Sequence, residues 1–120
     1  MFEPIAGLPD DALGLSARGT ITAEDYERTL IPLARQKIAA HGKTRVLLCF
    51  GPDFEGYSAG AIWQDAKFGL GHLREFGRIA VVSDVGWITQ AVRLFAPFVP
   101  SPVRVFPLAA LDEARSWLAG

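Results

Sequence analysis

Gly56-Tyr57-Ser58-Ala59-Gly60 fits the G-x-S-x-G pattern, in which a tight strand-to-helix turn presents a serine nucleophile. That chemistry needs an acid and then a histidine later in the chain. The only histidine after Ser58 is His72, near the end of the same expected helix. Fourteen positions of helix separate the two by roughly 20 Å at ~1.5 Å per residue, far beyond hydrogen-bond reach. His41 precedes the serine, and Gly51–Tyr57 reads as a loop too long for such a turn. Ser58 is therefore expected to cap the helix that follows it, its hydroxyl accepting from a first-turn N–H.

Asp53, Glu55, Asp65, Lys67 and His72 cluster in the same stretch. Asp65 and His72, seven apart, share a helix face with Phe68 between them. A metal usually requires three or more convergent ligands, and two are visible, so no metal and no cofactor is expected. Lys67 is expected to pair with Asp53 or Glu55 at the surface. The lone Cys49 lies within the apolar run Arg45–Phe50 and reads as a buried, inert thiol. No catalytic constellation survives, and the chain does not read as an enzyme.

The bulk properties narrow the partners. The 120 residues carry a net charge of −1 with acids and bases interspersed, which gives no basic stripe for nucleic acid. Half the chain is apolar and mean hydropathy is +0.22, yet no apolar run approaches the ~20 residues of a membrane span. The opening MFEPIAGLPDD lacks the basic and apolar regions of a signal peptide. One cytoplasmic domain, peripheral to a membrane at most, is the expectation.

The elements that position these residues follow from breakers and periodicity. Phe2–Ile5 and Ala12–Ala17 read as strands separated by the turn cluster Gly7-Leu8-Pro9-Asp10, with Gly19 ending the second. Thr22 caps a helix that runs to His41-Gly42, where Pro32 must kink it or begin a second one. Three strand–helix pairs follow: Arg45–Phe50 with Ser58–Arg74, Arg78–Ser83 with Gly86–Phe98, and Val103–Phe106 with Leu108–Leu118. Asp84 is placed to cap the middle pair's helix. Continuous apolar strands imply burial on both faces and a parallel sheet. The expected fold is α/β: a five-stranded mixed sheet, mostly parallel with the first strand antiparallel at an edge, flanked by four or five helices.

Helical projection sets Ala59, Ile62, Ala66, Leu70 and Leu73 on one core stripe with Trp63 at its margin, and leaves Phe68 opposite, on the polar side. In the next helix Ile88, Ala91, Val92, Phe95 and Val99 form the core stripe. Trp87, Leu94 and Phe98 form a second one beside it, widening the apolar arc to roughly 160° where ~100° is ordinary. So much apolar surface on neighbouring helices must be covered by a nonpolar ligand, a membrane surface or a homodimer partner.

LPDDALGLSARGTITAEDYE, DFEG with W-x-D-x-KFGLGH, RIAVVSD followed by Trp87, and the closing L-D-E-A-x-x-W-L together resemble the SpoIIAA-like family, also described as STAS/SEC14-type domains. The resemblance covers nearly the whole chain. It implies the fold of anti-sigma factor antagonists and a role as a binder or carrier of nonpolar molecules, with membrane association. The expected ligand-binding residues are then Trp63, Phe68, Trp87, Leu94 and Phe98. The resemblance also raises a second role: a regulatory interaction module acting through Ser58, where the antagonists carry a phosphorylated serine. Gly-Tyr-Ser-Ala-Gly departs from their Asp-Ser-Ser-Gly-like context in having one serine and no acid before it.

Overall fold

The computed structural model describes residues 1–120. Its strands are β1 (Phe2–Pro4), β2 (Ala12–Ile21), β3 (Thr44–Tyr57), β4 (Phe76–Ser83) and β5 (Val103–Phe106), lying side by side in chain order. β1 is antiparallel to β2 and every other pair is parallel. This is the mixed sheet expected, with the antiparallel strand at the first edge.

Right-handed crossovers between parallel strands laid down in one direction place every connecting helix on the same face. Accordingly α2 (Ile31–His41), α3 (Ala59–Gly71) and α4 (Gly86–Phe95) cover one face, and α5 (Leu111–Ala119) covers the other. Strand side chains alternate between faces, so β3 serves two cores. Val46, Leu48 and Phe50 point to the three-helix side, Leu47 and Cys49 to α5. Burial pushes the Cys49 thiol up, with Arg115 opposing, which keeps it protonated and unreactive.

Thr22 and Asp25 form a capping box: Asp25 Oδ2 accepts from Thr22 N at 2.8 Å, and Thr22 Oγ1 accepts from Asp25 N at 3.4 Å. This starts α1 (Ala23–Asp25), a single turn continuing through π-helical Tyr26–Leu30 into α2. Pro32, in the first turn of α2, explains the π segment. It has no N–H to donate, and its ring would crowd the carbonyl four residues back, which the wider turn moves aside. Of the two outcomes expected at Pro32, an interruption within a continuing helical run is the one seen, since the backbone stays helical from Asp25 through Ile31.

Two strands run further than their sequence suggested. β2 continues through Gly19, at φ 62°, to Ile21, and β3 continues through Gly51–Tyr57. Pairing across bulges joins them: Gly19 lies opposite Phe54, Thr20 opposite Gly56 and Ile21 opposite Tyr57. Gly51, Pro52, Asp53 and Gly56 look like loop residues, but backbone pairing with β2 outweighs their propensity. The bulges twist the end of β3 so that Phe54 and Tyr57 pack against the three-helix core.

Candidate functional site

α3 faces the sheet with a different side than its apolar pattern suggested. Ala61, Phe68 and Gly69 are buried, whereas Ile62 and Leu70, expected in the core, are 53% and 58% exposed. Phe68 is thus a correction: it belongs to the core stripe, not to the polar side. The true inward line runs Ala61, Asp65, Phe68, and Asp65 at its centre misdirected the projection. A helix that turns a carboxylate inward and three large apolar side chains outward contradicts amphipathic patterning, and such contradictions concentrate at functional sites.

Between α3 and α4 lies an apolar cleft floored by β3 and β4. It comprises two cavities, of about 160 and about 360 Å³, which share Leu48, Asp65, Val81, Ala91 and Val92 as walls. The smaller extends to Leu30, Phe68 and Phe95, the larger to Phe50, Tyr57, Ile62 and Trp87. The helices meet at Gly69, where an added Cβ would lie 3.4 Å from the Phe95 ring. At the other end Phe54, Tyr57 and Trp87 form an aromatic cluster, with Tyr57 and Trp87 edge to face at 5.8 Å. Close-packed interiors leave few voids larger than a water, so this space is a feature of the fold.

Asp65 is common to both cavities. Its Oδ1 lies 2.8 Å from Tyr26 Oη, which lies 3.0 Å from Tyr57 Oη. An ionised carboxylate only accepts, so Tyr26 gives its single proton to Asp65 and accepts from Tyr57. The π turn sets Tyr26, the bulged end of β3 sets Tyr57, and α3 brings Asp65 to both. Asp65 is exposed to solvent through the open cleft, although protein atoms crowd its carboxyl on the Tyr26 side. Desolvation pushes its carboxyl above the usual range, against the lowering effect of the Tyr26 hydrogen bond. Desolvation and the nearby Asp65 charge push both phenols up, so they stay neutral.

The raised carboxyl sets a pH dependence. Below the usual value of 3.8 both folded and unfolded Asp65 are protonated, and its ionisation contributes nothing. Above it the unfolded chain ionises first, so Asp65 subtracts stability increasingly until the folded carboxyl has ionised too. Asp65→Asn carries no such term. Its stability relative to the wild type is expected to rise between about pH 4 and pH 7. Urea midpoints at both pH values check this, and an advantage that shrinks toward neutrality contradicts it.

The other residues read from sequence are distributed as follows. Trp87 lines the larger cavity and Phe68 the smaller. Trp63, Leu94 and Phe98 line neither; they are 63%, 77% and 64% exposed on the outer surfaces of the framing segments. Ser58 caps α3 as expected, accepting from Ala61 N at 3.1 Å. Although β3 reaches Tyr57 and leaves no intervening loop, Ser58 sits at φ −72° and ψ 160°, a relaxed extended residue and not a strained nucleophile turn. Ser58→Ala is expected to lower stability by about 1 kcal/mol through loss of the cap, measured by urea denaturation, while Ser58→Asp keeps it; equal losses in both variants would contradict the cap.

His72 stacks on Phe68 at 4.2 Å, its Nδ1 2.9 Å from the Phe68 carbonyl oxygen. Two polar assignments are corrected. Lys67 stands over the Trp63 ring at 5.8 Å, and Asp53 instead pairs with Arg18 at 2.9 Å. Asp84 does not cap α4; its Oδ1 accepts from Leu108 N, while Ser83 Oγ accepts from Val85 N. The sequence singled out Asp65 only as one of two candidate metal ligands and did not point to Tyr26 or Tyr57 as site residues. The Ala61–Phe68 spacing, bisected by Asp65, was the available signal.

These features define an α/β sandwich with one helix-covered face opened by an apolar cleft. The chain belongs to the SpoIIAA-like family, whose model matches residues 12–119. In structure it is similar to an uncharacterised protein with a SpoIIAA-like fold from Shewanella loihica PV-4: 28% identity, TM-score 0.76, covering 98% of this chain and 92% of that one. No protein of curated function matches it in sequence.

Proposed function

We propose that the domain is a non-enzymatic binder or carrier of a nonpolar small molecule or lipid, held between α3 and α4. The cleft carries this reading: 13 of the 15 residues lining the smaller cavity and 9 of the 10 lining the larger are hydrophobic. Preformed concavity with apolar walls and few polar groups is the usual build of a small-molecule site. The non-enzymatic part rests on Ser58, whose hydroxyl is engaged in capping and has no histidine among its partners.

No helix is long and apolar enough to cross a membrane. Trp63, Leu70, Leu94 and Phe98 nevertheless present apolar surface on the outside of the framing segments. Transient membrane contact would cover these side chains and give a nonpolar ligand a route to the cleft. A homodimer would cover them without the route, and vesicle flotation beside light scattering separates the two.

The direct test is native mass spectrometry of freshly purified protein, followed by organic-solvent extraction. A retained nonpolar adduct supports the carrier. Protein free of adduct that also fails to bind nonpolar dyes overturns it.

Ser58 supports a second reading, a regulatory interaction module. Its hydroxyl sits at the N-terminus of a 13-residue helix, where a phosphate would meet free N–H groups and the favourable end of the dipole. Phosphopeptide mapping of protein from its native host decides: stoichiometric phosphate on Ser58 promotes the module, and an unmodified serine removes it.

A further inference from the structure

We infer that Asp65 is the polar anchor of the cleft, and that the ligand carries a hydrogen-bond-donating end, a hydroxyl or an ammonium, on an otherwise nonpolar body. This deepens the carrier reading and rests on it.

The argument is a count of protons. Asp65 is the ionisable group present in the walls of both cavities. One of its oxygens accepts from Tyr26; the other has no protein donor, and none of the domain's ion pairs includes it. Tyr26 has spent its single proton on Asp65, and Tyr57 has spent its own on Tyr26. The cluster therefore offers the cleft acceptors only: the second Asp65 oxygen and the remaining lone pair of Tyr57. A ligand that ends in an acceptor finds no donor there. An ionised carboxylate would in addition meet the like charge of Asp65 without relief, which selects against it.

The rest of the cleft fits the same ligand. Its walls are aliphatic and aromatic, so the body beyond the donor must be nonpolar. The larger cavity, about 360 Å³, sits at the low end for small-molecule sites and the smaller, about 160 Å³, lies below it, which favours a single chain or compact ring system. The upward push on the Asp65 carboxyl has the same origin, desolvation that the Tyr26 hydrogen bond only partly offsets and no cation balances, and a bound ammonium would oppose it.

The experiment compares decanol, decylamine and decanoate, which share a body and differ at one end. Each is titrated against a nonpolar fluorescent dye on the full-length protein near neutral pH. Decanol and decylamine are expected to bind at least about tenfold tighter than decanoate, as one charge-assisted hydrogen bond implies. Asp65→Leu should abolish that preference while retaining the dye. Asp65→Asn, which preserves shape, should keep decanol and lose the advantage of decylamine; this arm also separates hydroxyl from ammonium recognition and stands if the leucine variant misfolds. Wild-type protein that binds all three alike, or prefers decanoate, overturns the anchor and leaves the cleft standing. Protein that binds neither the dye nor any of the three overturns the carrier reading as well.

Discussion

Ala91→Trp is expected to abolish retention of a nonpolar ligand and leave the domain folded. Ala91 is exposed on α4 and lines both cavities, opposite Asp65 and above Leu48 and Val81. A larger side chain in a packed core normally costs about 1–3 kcal/mol through strain. Here it projects into open space, gains contacts with the walls and displaces the ligand. Binding should weaken by at least about tenfold, with a melting temperature equal to or above the wild type's. Dye titration and a thermal melt on the same sample read both quantities. A variant that binds within a factor of about two, with an indole shielded from quenchers, would remove the cleft as the site.

Leu47→Ala is expected to lower stability by about 2–5 kcal/mol, a large share of the roughly 5–15 kcal/mol that holds a domain together. Leu47 is fully buried on the central strand, under Phe106, Ala114 and Leu118 of the α5 side. It lies on the opposite face of the sheet from the cleft, so at a temperature where the variant is folded, ligand affinity should be unchanged. Its neighbour Leu48 points the other way and forms part of the cleft floor. Leu48→Ala should instead alter ligand affinity and cost less stability, because that side chain already borders empty space. Urea denaturation of both variants tests the contrast. A Leu47→Ala loss below about 1 kcal/mol would contradict the two-core arrangement.

The cleft and the cluster beneath it divide the work of a binding site. Apolar walls supply affinity without direction, and a fixed acceptor set supplies orientation. Tyr26 and Tyr57 do not need to touch a ligand to matter. Their hydrogen bonds consume the available protons and fix which Asp65 oxygen faces the cleft. The π turn imposed by Pro32 and the bulges near Gly19 place these two phenols, so irregular backbone in two distant segments serves one site.

The order of elements, the buried strands Arg45–Phe50 and Arg78–Ser83, the Thr22 and Ser58 caps, the break at Pro32 and the family were legible in the residues. Each depends on near neighbours in the chain: a hydroxyl two or three residues from an N–H, a missing donor, a continuous apolar run. The exposed apolar side chains Trp87 and Leu94 were legible too, because α4 keeps a regular helical period; Phe98, expected on the same helix, lies in the 3-10 turn Ala96–Phe98 that follows it. Only the tertiary structure decided that β3 runs to Tyr57, since its second half is held by pairing with β2 across a bulge. It alone turned α3 so that Asp65 and Phe68 face inward. Periodicity cannot distinguish a carboxylate on the outer surface from one turned into a cleft, because the Tyr26 hydroxyl that holds it is 39 residues away and meets it only in the fold.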